Sequence, residues 1–102
     1  MKEIRGKIEG DLVLVEDTNL YGMVVGSVTV PKNIMLRLYG MLAGDLTLEK
    51  PSTVYVYGMV NGNIINNGAH LEVFGMVNGG IYRNDGETLV DPNAVVRDGI
   101  IK

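Results

Sequence analysis

The chain has no cysteine and no tryptophan, and only one histidine and one phenylalanine in 102 residues. Without cysteine there is no disulfide and no thiolate ligand, and a reducing compartment is allowed. His70 stands alone, with no thiol and no evident carboxylate cluster to help it form a zinc site. The two serines, Ser27 and Ser52, fall on other parts of the pattern, so a Ser-His-Asp arrangement lacks its parts. No run approaches the ~20 apolar residues of a membrane helix. The N-terminal stretch is too polar for a signal peptide. A net charge of −3 and a pI near 5.0 leave no basic stripe for nucleic acid. The expectation is a single domain over residues 1–102, cytoplasmic and non-catalytic. It has no cofactor, no metal, no nucleic acid and no membrane contact.

What the chain does have is glycine, 14 residues of it, set in a repeated eleven-residue phrase. Four copies begin at Leu20, Leu38, Val56 and Val73, and a worn copy begins at Ile4. Their first glycines are Gly6, Gly22, Gly40, Gly58 and Gly75, at steps of 16, 18, 18 and 17 residues. A fixed period of this size signals a stacked repeat. The repeats fall near 4–18, 19–36, 37–54, 55–71 and 72–90, with a degenerate last coil or cap at 91–102.

Within a phrase, apolar residues and glycines alternate, as in Leu20, Gly22, Val24, Gly26, Val28 and Val30. That is the period of a strand. Paired glycines and β-branched residues oppose a helix. Connectors such as Pro31-Lys32-Asn33, Lys50-Pro51-Ser52 and Asn67-Gly68 carry turn chemistry. Each period therefore reads as about three short strands separated by bends. Two all-β architectures fit. One is a parallel β-helix of five to six coils, with like positions ~4.8 Å apart along the axis. The other is an antiparallel meander with hairpins at Asn61-Gly62, Asn67-Gly68 and Asn78-Gly79. Val25-Gly26 and Ala43-Gly44, the equivalent positions in earlier copies, are poor hairpin turns, which favours the helix.

The spacing apolar-x-Gly-x-apolar-x-Gly-x-apolar, from Ile4 to Arg83, resembles the bactofilins. That resemblance implies a compact right-handed β-helix of a bacterial, polymer-forming cytoskeletal protein. This chain departs from the family in its outward positions, which are not the expected polar mixture.

If the aliphatics fill the inside, the residues between them form outward columns. One is Arg5, Tyr21, Tyr39, Tyr57 and Phe74. The next is Lys7, Met23, Met41, Met59 and Met76. Tyr21, Met23, Tyr39, Met41, Tyr57, Met59, Phe74 and Met76 are the candidate partner-binding residues. Four rungs extend ~14 Å, a patch of the size that tends to mean partner binding. Stacking of the rings on one another is the plainer role for the same ladder. Arg5 and Lys7 bound the patch at one end. Asn61 over Asn78 reads as a short amide ladder, and Asp11 and Asp45 read as solvated. The glycines lack the Lys-Ser/Thr and the helix of a phosphate-binding loop.

Two functions follow. One is a structural module, bactofilin-like, that self-associates or docks a protein through the Tyr/Met ladder. The other is a small acidic immunity or antitoxin-type protein that binds and neutralises a toxin or enzyme.

Overall fold

The computed structural model describes all 102 residues, Met1–Lys102. The first coil holds β1 (Lys2–Ile4), β2 (Lys7–Glu9) and β3 (Leu12–Val13). The second holds β4 (Thr18–Leu20), β5 (Met23–Val25) and β6 (Val28–Val30). The third holds β7 (Met35–Leu38), β8 (Met41–Leu42) and β9 (Leu46–Leu48). β10 (Thr53–Val56) and β11 (Met59–Val60) lead into β12 (Ile64–Val73), which runs from the fourth coil into the fifth. β13 (Met76–Val77) and β14 (Ile81–Val90) likewise carry the fifth coil into the sixth, where β15 (Val95–Val96) lies.

Three faces result. The first stacks β1, β4, β7, β10 and the second half of β12; the second stacks β2, β5, β8, β11, β13 and β15; the third stacks β3, β6, β9 and the first half of β12. β14 lies along β12 on both the first and the third face. Every pairing is parallel. The protein is thus a parallel β-solenoid of about six turns, and the meander is excluded. Asn61-Gly62 and Asn78-Gly79 turn corners between faces, and Asn67-Gly68 is a bend inside β12. None is a hairpin, because the next strand pairs with its counterpart one coil away rather than with its neighbour in sequence. No helix is long and apolar enough to cross a membrane.

The alternation in sequence becomes the core. Leu20, Leu38, Val56 and Val73 stack along the inside of the first face; Val24, Leu42, Val60 and Val77 line the second; Val28, Leu46, Ile64 and Ile81 line the third. All are essentially sealed from solvent. Each such burial contributes about 1.5–3 kcal/mol against the entropy of ordering the chain. The corner between the first and second faces is a column of glycines. A Cβ on Gly40, for instance, would lie 2.6 and 2.8 Å from the Tyr21 carbonyl oxygen and carbon. The coils can approach to strand-pairing distance there only because the side chain is absent.

Two polar columns hold successive coils in register. The Ser27 N–H donates to Asp11 Oδ1 at 2.9 Å, and the Asp45 N–H to Ser27 Oγ at 3.0 Å. The Asn63 N–H then donates to Asp45 Oδ1, and the Gly80 N–H to Asn63 Oδ1, both at 2.8 Å. Asp11 and Asp45 are therefore not simply solvated, as the sequence suggests. Each satisfies a backbone donor at a corner where the ladder hydrogen bonds are interrupted. The expected amide ladder is present: Asn78 Nδ2 donates to Asn61 Oδ1 at 2.7 Å, and Arg97 Nε continues it to Asn78 Oδ1 at 2.8 Å.

Candidate functional site: the outward tyrosine and methionine strip

Leu20, Leu38, Val56 and Val73 close the first face, and the residue after each must turn the corner. Its side chain has no inward space, because the glycine that follows is pressed against the coil below. Tyr21, Tyr39, Tyr57 and Phe74 therefore point out. Their rings stack in one pile with centroid spacings of 5.0, 5.0 and 5.1 Å and interplanar angles of 6–7°. Arg5 lies over the Tyr21 ring at 4.5 Å and closes the pile on a cation. Met23, Met41, Met59 and Met76 form the adjacent column at the start of the second face, one pairing step apart. They are half-buried, and the Asn61 and Asn78 amides reach the sulfurs of Met41 and Met59.

All eight candidate residues thus come together on one continuous strip. The rings shield each other's faces, each contact contributing about 0.5–1.5 kcal/mol. Their edges and hydroxyls stay open, with Tyr21, Tyr39, Tyr57 and Phe74 each 38–43% exposed. So the ladder stabilises neighbouring coils and still presents apolar surface. The strip is wider than the sequence suggests. Tyr55, on β10, lies 6.4 Å from the Tyr57 ring and extends the aromatic surface across the first face. It was legible only as part of a connector. The outward parity it shares with Tyr57 was the available signal. At the far end, Asp91 takes the place after Phe74, since its N–H donates to Val73 O as the Phe74 N–H donates to Val56 O.

His70 departs from its sequence reading. It is not isolated from carboxylates. It lies in β12 with Nε2 2.7 Å from Glu72 and Nδ1 2.6 Å from Glu87. The Tyr55 ring meets it edge-on. Glu72 is its strand neighbour and Glu87 its partner on the next coil. The hydrogen bond to Glu72 and then that to Glu87 raise its pKa above 6.5, and desolvation opposes them more weakly. Both ring nitrogens are occupied, and no group of three or more His, Cys, Asp or Glu side chains converges as a metal site would.

A raised folded-state pKa makes the stabilisation complete below the unfolded value of about 6.5. It is lost as pH rises through the folded value. We therefore expect a modest fall in thermal midpoint as pH increases from 6 upward, centred above 6.5, with Glu87 on the last coil loosened first. His70→Gln should flatten that part of the profile. An unchanged profile would show that the two carboxylates do not hold the charged imidazole.

The fold and strip define a class, the parallel β-solenoid with an apolar outward ladder. No family model, curated protein or solved structure matches the chain.

Proposed function

We propose that the chain is a non-catalytic structural module that associates with further copies of itself through the Tyr/Met strip, as a bactofilin-like solenoid. The observation that carries this reading is the strip itself. Eight large apolar side chains occupy outward rungs of four successive coils, although the core is complete without them. Tyr and Met are the residue types that enrich interface cores, because they bring large contact area at little conformational cost. The aromatic pile is rigid and prearranged, which lowers the ordering cost of docking. Self-association, rather than capture of an unrelated chain, is supported by the resemblance in repeat spacing to a polymer-forming family.

Tyr57→Lys combined with Met59→Lys places two cations at the centre of the strip, where both side chains are partly exposed and point away from the core. The far-ultraviolet circular dichroism of the variant should match that of the parent. Lateral association should weaken at least about tenfold in sedimentation velocity, since unpaired charge in an apolar contact costs more than the contact returns. Identical sedimentation of parent and variant at every concentration would remove the strip from the interface. A strictly monomeric parent that forms a one-to-one complex with an unrelated protein, lost in the variant, would favour the neutralising-protein reading instead.

A further inference from the structure

The chain places asparagine before glycine three times, at Asn61-Gly62, Asn67-Gly68 and Asn78-Gly79. This dipeptide has a chemistry of its own. With no side chain on the second residue, the glycine nitrogen can swing onto the asparagine amide carbon. Three groups govern that approach: the glycine N–H, the amide oxygen and the departing amide nitrogen.

At the two corner sites these groups are committed to neighbouring coils. The Gly62 N–H donates to Gly44 O at 3.1 Å, and the Gly79 N–H to Gly62 O at 3.0 Å. Asn61 Nδ2 reaches Met41 Sδ, and Asn78 Nδ2 donates to Asn61 Oδ1. Arg97 Nε holds Asn78 Oδ1. Moving either amide onto its glycine breaks contacts between coils.

Asn67-Gly68 is held differently. Pairing of β12 with β9 ends at Asn66, and pairing with β10 begins at His70, so residues 67–69 have no ladder partner on that side. The Gly68 N–H goes instead to a side chain, Asn66 Oδ1, at 3.1 Å, and the closer Ala69 N–H shares that acceptor at 2.7 Å. Gly68 has a φ of +139°, and the bend leaves Asn67 exposed. Asn67 Oδ1 accepts from Asn84 Nδ2 at 2.8 Å, while the Asn67 amide nitrogen is unrestrained. The Lys50 stem lies over Gly68, and its ammonium reaches Asp85, the residue paired with Asn67. A hydrogen-bond donor and a cation thus stand where negative charge develops when the amide carbon is attacked.

We propose that Asn67 is a self-modification site, at which the Gly68 nitrogen closes on the Asn67 side chain beneath the Asn84 amide. Hydroxide removes the Gly68 N–H proton. The nitrogen bonds to Asn67 Cγ, and the carbonyl electrons pass to Oδ1. They return as the Cγ–Nδ2 bond breaks, and Nδ2 leaves as ammonia with a proton from water. Water then opens the cyclic imide at one of its two carbonyls, leaving aspartate or isoaspartate at position 67. Either product sets a new carboxylate opposite Asp85. Isoaspartate also adds a methylene to the main chain where β12 and β14 already shift register. The change falls at the corner between the third and first faces, away from the Tyr/Met strip, and is independent of what that strip binds.

The test is incubation of the full chain in mildly alkaline buffer, folded and in urea, with peptide mapping for the mass change of amide to acid. In urea the three sites should convert at similar rates. In the folded chain Asn67 should convert at least about tenfold faster than Asn61 and Asn78, whose glycine nitrogens react only after local opening. Asn67→Gln should abolish the early conversion, because glutamine closes a larger and slower ring. Asn84→Ala removes the donor and should slow conversion at Asn67 severalfold, whereas simple loosening of the bend would speed it. The proposal is overturned if Asn67 converts no faster than Asn61 or Asn78 in the folded chain. It is also overturned if Asn84→Ala leaves the rate at Asn67 unchanged or raises it.

Discussion

Gly58→Ala is expected to lower the thermal midpoint by roughly 15 °C, a loss of about 3 kcal/mol or more. The added methyl would run into the Gly40 carbonyl oxygen and lie 2.6 and 2.8 Å from the Tyr39 carbonyl oxygen and carbon. These are backbone atoms, so no rotamer change relieves the clash. The coils must separate at this corner. Separation there breaks the pairing of β11 with β8, whose first pair is Met59 with Met41. It also pulls Tyr57 away from the Tyr39 ring, 5.0 Å away in the intact pile. Tyr fluorescence and far-ultraviolet signal should therefore be lost together on heating or in urea. A midpoint within a few degrees of the parent would mean that the corner is far more compliant than its packing indicates.

Asn66→Leu should cost a comparable amount, about 3 kcal/mol net, for a different reason. Asn66 is fully buried on the inner face of β12, in the column of Leu48. Leucine would suit the burial, and the gain of apolar contact offsets part of the loss. The amide is nonetheless the hub of the bend at Asn67-Gly68. Its Oδ1 accepts the N–H groups of Gly68 at 3.1 Å and Ala69 at 2.7 Å. Its Nδ2 donates to Ala69 O, to Glu87 O and to Thr88 Oγ1. Leucine strands these groups in a site closed to water, and each buried unpaired group costs about 1–3 kcal/mol. Asn66→Asp keeps both acceptor contacts but sets a second carboxylate oxygen against the three acceptors that Nδ2 serves and buries an unpaired charge, so it should cost at least as much as leucine. Amide exchange at Gly68 and Ala69 should accelerate in both variants. If leucine is as stable as asparagine, the bend is held by the flanking strands rather than by this amide.

Much of the architecture is legible in the order of residues. The period of 16 to 18, the alternation within each phrase and the paired glycines specify three short strands per turn. Continued over five copies, they place Leu20, Val24, Val28 and their equivalents inward. The same parity puts Tyr21 and Met23 outward, and the strip follows by stacking the copies. Val25-Gly26 and Ala43-Gly44 are poor turns at positions where later copies have Asn-Gly, which favours parallel stacking over hairpins. The structure agrees, because identical inward columns bury best when each coil lies over the next in the same direction.

Other features depend on residues a full coil apart, and there the sequence is silent. His70 meets Glu87 across 17 residues, and Asn66 meets Thr88 across 22. Asp91 becomes the rung after Phe74 only because β14 stays in register with β12 despite the shifts at Asn67. The connectors differ in length and chemistry, so the separation that brings two side chains together changes from coil to coil. What the sequence by itself determined was the repeat, which side of the coil each phrase residue faces, and the glycine corners. Those rest on local geometry, a period of two and the absence of a Cβ. Only the tertiary structure decided which polar groups meet, that Asp11 and Asp45 bond the backbone above them, and that Tyr55 joins the strip. Those depend on how each variable connector is absorbed before the next coil settles on the one beneath.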